Sequence, residues 1–223
     1  MTRDRNWPEF FSRLVHDLRE PLRSIHSFSE LLGQTDRAAD RERALQEILS
    51  SAETMRTFID GISRYGPTLG SETIPGAASL QLAFGMATMA FDRDLTASGG
   101  TLTGEDLPRV AVPLEQLNFL LENLIGNSLK FRGPAKPAIR VTAVGPESEF
   151  WTIRIEDKGI GIAETDRESV FRPFMRVYGR KYPGAGLGLS ACRNIVESFG
   201  GRIWMEPAPD GGSICALTLP ELA

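Results

Sequence analysis

A chain of 223 residues with a formal net charge of -4, its 25 Lys and Arg interspersed among 29 Asp and Glu, can bury real cores in one or two domains and lacks the basic footprint of a nucleic-acid or anionic-membrane binder. Its two cysteines, Cys192 and Cys215, have neither CxxC nor metal-ligand spacing, which argues against a disulfide framework or zinc site and fits a reducing compartment. No apolar run is long enough to span a bilayer, and the charged start MTRDRNWPEF lacks the apolar centre of a signal peptide, so a cytoplasmic protein without a membrane span is expected.

Phe11, Val15, Leu18, Leu22, Ile25 and Leu32 recur by threes and fours, with Ser29 interrupting the stripe beside Phe28, which predicts a helix from about Pro8 to Gln34. After the polar turn GQTDRAAD, Leu45, Ile48, Ala52, Met55, Ile59 and Ile62 form a heptad repeat, and this second helix should end near Tyr65 and Gly66. Two such helices joined by a short turn cannot bury both stripes alone. Two hairpins from two chains can, as a four-helix bundle, so a homodimer is predicted; the alternative is that the hairpin folds onto the C-terminal domain of its own chain.

The stretch GPTLGSETIPG has the composition of a linker. It divides the chain into a helical domain at 1–66, a linker at 67–75 and a second domain at 76–223. In the second domain the patterns predict helices at Leu80 to Leu95, Pro113 to Phe131 and Leu187 to Phe199. Strands are expected at Thr101 to Leu102, Arg109 to Val112, Ala138 to Val144, Phe150 to Glu156, Arg202 to Glu206 and Ser213 to Leu219. The fold class is α+β, a two-layer sandwich with helices on one face of a mixed sheet.

Two glycine runs stand out. Asp157-Lys158-Gly159-Ile160-Gly161 follows a strand, and Gly184-Ala185-Gly186-Leu187-Gly188-Leu189 opens a helix, where close backbone approach and unpaired N–H groups suit phosphate. Neither run satisfies GxGxxG, and no GxxxxGK[ST] occurs, so Rossmann and P-loop readings are poor. On the helix Pro113 to Phe131, which precedes both runs, Asn123 and Asn127 lie at i and i+4, within two turns of Glu122 and Lys130. Amide oxygens suit a Mg²⁺ shared with phosphates, and the lysine suits phosphate charge.

Together these runs resemble the ATP-binding domain shared by gyrase, heat-shock chaperone, histidine kinase and mismatch-repair ATPases, the Bergerat-type fold. LLENLIGNSLKF looks like the N box, DKGIGI the first glycine box and GAGLGLS the second, while VFRPFMRVYG resembles the F box and lid of sensor histidine kinases. The resemblance covers about residues 72 to 220. It implies that Asn127, with Asn123, binds Mg²⁺, that Lys130 meets phosphate, and that Phe131 lines the adenine pocket. It implies that Asp157 accepts a hydrogen bond from the adenine amino group. Gly159, Gly161 and Ile162 would close around the base, Gly184, Gly186, Leu187, Gly188 and Leu189 would shape the lid's return over the phosphates, and Arg176 would reach the γ-phosphate.

VHDLREPL resembles the H box of the same kinases. His16 falls off the apolar seam and should face water, where a neutral imidazole has a lone pair for attack on phosphorus. Asp17 resembles the acid that orients the ring. Pro21 removes the backbone bond to the carbonyl of Asp17, a defect that costs about 3 kcal/mol in a helix interior and is expected to loosen the helix at the reacting residue. Glu20 stands where many such kinases carry Thr or Asn; as a carboxylate it could hydrogen-bond His16 but does not position a water for dephosphorylation as an amide does. The other histidine, His26, points to a different face and reads as structural.

The resemblance thus implies a protein histidine kinase using ATP and Mg²⁺, phosphorylated on His16 and passing the group to a response-regulator receiver domain. A sensor, as an upstream domain or separate protein, is the implied input, although the first helix starts almost at once here. The competing classes are a dimeric phosphotransfer or scaffold protein with a vestigial nucleotide domain, and an ATPase without a phosphoacceptor.

Overall fold

The computed structural model describes residues 7–69 and 76–222, apart from the side chain of Arg180. Helices α1 (Trp7–Gln34) and α2 (Ala38–Tyr65) form the hairpin. Pro21 does not break α1: it lies in one continuous helix and is the residue that α1 buries most deeply. The buried line of α2 runs Ala44, Ser51, Phe58 and Tyr65, one residue out of step with the predicted Leu45, Ala52 and Ile59, although Ile48, Met55 and Ile62 are half-buried as the repeat requires. In α1 the offset is partial: Phe10 and Leu14 turn inward while Phe11, Val15 and Leu22 stay exposed, but Leu18 packs inward as expected and Ile25 and Leu32 are half-buried. Each helix therefore carries an apolar stripe wider than its partner covers. One edge is buried inside the chain, and Phe11, Val15, Leu22, Leu45, Leu49 and Ile59 form an uncovered edge.

Of the expected linker, 70–75 lies outside the described residues. Its start is structured: Gly66–Leu69 continues α2 as a 3₁₀ turn in which Thr68 is buried and accepts a hydrogen bond from Asn194 at 3.2 Å.

The second domain follows the expected order with small shifts of boundary. It comprises β1 (Ala78–Ser79), α3 (Leu80–Ser98), β2 (Thr101–Gly104), β3 (Arg109–Val110), α4 (Leu114–Lys130), β4 (Ala138–Glu147), β5 (Phe150–Asp157), α5 (Gly188–Ser198), β6 (Ile203–Pro207) and β7 (Ser213–Pro220). The short β1, which has no periodicity to read, pairs with β3. The main sheet runs β2-β4-β5-β7-β6; only the β2–β4 pair is parallel. Ile155 on β5 stands between Val141 on β4 and Cys215 on β7. Alternate residues of these strands meet the helices in one core, with Leu117, Leu121 and Ile125 of α4 and Ile195 and Val196 of α5 against Val141, Ile153, Ile155 and Leu217. The other face carries polar pairs, including Arg154–Glu206 and Arg140–Glu156, each at 2.6 Å.

The three-four spacing of Leu117, Leu121 and Leu124 explains why α4 presents one polar face away from the sheet. Truncation of Leu121, fully enclosed between α4 and the sheet, should lower stability by about 2–5 kcal/mol. Denaturant unfolding of Leu121→Ala would show this as a reduced midpoint with an unchanged slope.

Candidate functional site

A cavity of about 380 Å³ lies between the polar face of α4, the ends of β5 and β7, and the segment leading into α5. Each candidate nucleotide residue except Gly159 lines it. Gly159 lies just behind the wall, donating its N–H to Asp157 Oδ1 at 2.8 Å. A Cβ at position 159 would stand 2.7 Å from the Phe131 carbonyl oxygen, so only glycine lets this loop lie against the end of α4. Ile160 N–H reinforces that seam by donating to Phe131 O at 3.0 Å.

Asp157 ends β5 and points into the cavity. Its Oδ2 accepts from the Ser128 hydroxyl at 3.1 Å. Burial pushes its carboxyl above the ordinary carboxylate range, and hydrogen bonds from Gly159, Ser128 and the Ser213 backbone offset this only in part. A carboxylate kept buried with unused acceptor capacity is suited to a neutral N–H donor of a ligand.

Cationic and amide side chains line the same cavity. Burial lowers the pKa of Lys130, and the charge of Arg176 lowers it further; its ammonium sits 4.6 Å from the centre of the Phe131 ring. Arg176 donates to the Tyr182 carbonyl at 2.8 Å. The second glycine run is pressed against these groups. A Cβ at Gly184 would come within 2.8 Å of Lys130 Nζ, one at Gly188 within 2.8 Å of Asn123 Oδ1, and one at Gly186 within 2.8 Å of the Met175 carbonyl. Asn123 donates its amide to Phe119 O at 2.8 Å, which turns its oxygen toward the start of α5. No cluster of three or more His, Cys, Asp or Glu suited to a metal occurs among the described residues. The donor set for a cation here is amide oxygen, completed by whatever ligand enters.

Sequence reasoning missed several participants. Tyr178 and Tyr182 pack with Phe131, whose ring lies 5.9 and 4.9 Å from theirs, and the Tyr178 hydroxyl bonds the Gly161 carbonyl. They carry no periodic signal because they lie in an irregular segment. Thr57, Asp60, Gly61 and Arg64 of α2 also line the cavity, and nothing in a helical repeat reveals what docks on its outer side.

His16 lies outside the cavity lining. Its side chain is 72 % exposed, and Nδ1 is 3.0 Å from Asp17 Oδ1. Glu20 is half-buried on the same helix. Leu14 and Leu18 pack toward a cluster formed by Phe58, Tyr65, Phe174, Ala185 and Leu187. His16, two positions from each, is on the far side of α1. The hairpin is thus docked on its own second domain, as the alternative reading allowed, while its uncovered edge persists. Phe174 anchors the contact: its ring is 4.9 Å from that of Phe10, and its backbone is held at φ 61, a left-handed conformation that is rare for a bulky residue. His26 is exposed and sits 3.5 Å from Glu30.

Comparison with known proteins identifies two families along the chain. Residues 8–66 match the His Kinase A (phospho-acceptor) domain, and residues 114–223 match the histidine kinase-, DNA gyrase B- and HSP90-like ATPase; together they take in about three quarters of the chain. The chain is 31% identical over 209 residues to cyanobacterial phytochrome A of Nostoc sp., covering 92% of itself and 27% of that protein. It is 31% identical over 218 residues to the adaptive-response sensory kinase SasA of Synechococcus sp., covering 93% of itself and 57% of that protein. It therefore spans about a quarter to a half of such relatives. Its fold is that of histidine kinase ThkA, solved in complex with response regulator protein TrrA, with a TM-score of 0.72 at 22% identity over 96% of this chain and 61% of that one. Among the described residues no helix is long and apolar enough to cross a membrane.

The raised pKa of Asp157 has a thermodynamic sign. The folded chain holds this proton more firmly than the unfolded chain, so the linked stabilisation is complete below the unfolded pKa and lost as pH rises through the folded one. Removing the charge should help more at neutral than at acid pH. The melting temperature of Asp157→Asn, relative to wild type, should rise between about pH 3.5 and about pH 7; a difference independent of pH would contradict the burial argument.

Proposed function

This chain belongs to the histidine kinases, and we propose that it is the catalytic core of an ATP-dependent two-component kinase that works in the cytoplasm. In this reading the second domain transfers the γ-phosphoryl group of Mg·ATP to His16, and the phosphoimidazole passes it to an aspartate of a response-regulator receiver domain. The observation that carries the proposal is one cavity lined both by the buried carboxylate of Asp157 and by Lys130, Arg176, Asn123, Asn127 and the 184–188 backbone. That combination of groups matches a purine with a triphosphate tail.

The roles follow from the chemistry at each position. Asp157 accepts from the adenine amino group, Phe131 flanks the base, and Gly161 and Ile162 allow the loop to close on it. Lys130 and Arg176 meet the phosphates, joined by N–H groups of the 184–188 backbone at the start of α5. Asn127 and Asn123 would hold Mg²⁺, which when bound neutralises phosphate charge. His16 supplies the nucleophilic nitrogen; Asp17, against Nδ1, fixes the tautomer that leaves Nε2 free and takes up charge as phosphate arrives. Glu20 lies one turn beyond and adds negative charge near the phosphoimidazole, which favours onward transfer.

The docked hairpin is a resting arrangement in this scheme. His16 faces away from its own nucleotide cavity, so transfer requires release of the docked contact or the nucleotide domain of a second protomer. The uncovered edge of Phe11, Val15, Leu22, Leu45, Leu49 and Ile59 is the surface that a second hairpin would bury in a homodimer. An upstream sensor would act by shifting this balance.

Incubation with γ-labelled ATP tests the proposal. Wild type should acquire an acid-labile label, and both His16→Ala and Asn127→Ala should lose it, the first by removing the acceptor and the second by disabling the pocket. A label that survives in His16→Ala would place the acceptor elsewhere.

A further inference from the structure

We propose that Arg64, a residue of the phosphoacceptor hairpin, is a ligand for the phosphate chain of the bound nucleotide, so that α2 completes the pocket in the docked state. The inference rests on reading the cavity as an ATP site. Arg64 lines that cavity together with Asn123, Lys130, Arg176 and Gly188, the residues to which the phosphates are assigned. The close approach is built into the sequence. At Gly61, one turn before Arg64, a Cβ would stand only 2.9 Å from that of Ala185 and 3.7 Å from Leu187. Glycine at this position lets α2 lie directly on the second glycine run.

The guanidinium is held but not consumed. It rests 5.1 Å from the centre of the Phe119 ring, and Nη2 donates to Glu122 at 3.1 Å. Both partners of that pair are open to solvent, at 54% and 43% of full side-chain exposure, a setting in which an ion pair contributes little and exchanges readily. A guanidinium has five N–H donors in a planar fork that matches phosphate oxygens two at a time. A triphosphate arriving beside Asn123 therefore offers Arg64 a better partner than Glu122, the neighbouring residue on α4. Nucleotide binding and hairpin docking then become reciprocally coupled, each strengthening the other.

A purely structural role, an ion pair that pins α2 to α4, makes a different prediction. Titrate the full chain with ATP and with adenosine, comparing wild type, Arg64→Ala, Arg64→Lys, Glu122→Gln and Asp157→Asn, each checked for an intact melting transition. If Arg64 binds phosphate, Arg64→Ala should weaken ATP by about tenfold or more while adenosine is unaffected, and Arg64→Lys should recover part of the loss. Glu122→Gln should bind ATP as tightly as wild type or more tightly, because it frees the guanidinium. Unchanged ATP affinity in Arg64→Ala, or equal losses in Arg64→Ala and Glu122→Gln, would overturn the inference. Asp157→Asn separates the two levels: if it loses both ligands while Arg64→Ala loses neither, the pocket reading stands and the Arg64 role falls. A wild-type chain that binds neither ligand ends both.

Discussion

The constraint on which the molecule depends is the crowding around residues 184–188. This segment is wedged between the polar face of α4, the turn at Phe174 and Met175, and the outer side of α2, and at Gly184, Gly186 and Gly188 a Cβ would come within 2.8 Å of a neighbour. At Gly186 the neighbours are backbone atoms of Phe174 and Met175, which cannot yield, so only glycine passes there, whereas at Gly184 and Gly188 they are the ends of the Lys130 and Asn123 side chains. Two of the three glycines also have positive φ, 131 at Gly184 and 71 at Gly186. Phe174 N–H bonds the Gly186 carbonyl at 2.9 Å, tying the lid base to the same knot. The backbone thereby becomes a wall of the cavity, and side chains from three elements converge on it.

That convergence creates an electrostatic imbalance which the protein alone leaves unrelieved. Lys130 and Arg176 are close enough for the charge of one to depress the pKa of the other, and Lys130 is also buried. Asp157, on the same cavity, is desolvated. Like charges held together inside a cavity raise the energy of the empty state, and a polyanion entering between them lowers it. The rings of Phe131, Tyr178 and Tyr182 pack against one another beside these groups.

How far the sequence discloses this depends on the kind of interaction. Strand and helix order in the second domain was legible because each element buries one face, and burial imposes periodicity. That the polar face of α4 and both glycine runs come together at one cavity was legible because close backbone approach restricts residue type at fixed spacing. The phase of the hairpin was not. Leu45, Ala52 and Ile59 satisfy a heptad as well as Ala44, Ser51 and Phe58 do in three dimensions, because the apolar band is wider than one seam and a repeat does not say which edge is covered. Pro21 was legible as an anomaly but not in its placement: it is buried in the hairpin rather than opening the helix there. Contacts between domains left the faintest trace. Gly61, Phe10 and Phe174 look like an ordinary helix glycine and two loosely placed aromatics until α2 is laid against the lid.

Those three residues show why the hairpin and the cavity behave as one mechanical unit. Docking buries Phe58, Tyr65, Phe174, Ala185 and Leu187 in a cluster separate from the main core, and a fully buried side chain of this size contributes about 1.5–3 kcal/mol. Against this stands the left-handed backbone of Phe174, a conformation that costs a bulky residue about 1–2 kcal/mol. Interfaces between domains of one chain open unless they are large and apolar. Ala185 and Leu187 belong to the glycine run, and Phe174 is bonded to Gly186, so lifting α1 and α2 removes packing that supports one wall of the cavity. A displacement of the hairpin therefore reaches that wall through packing, and a change in the wall reaches the hairpin by the same route. His16 rides on the outer face of α1, where either motion changes what it can meet.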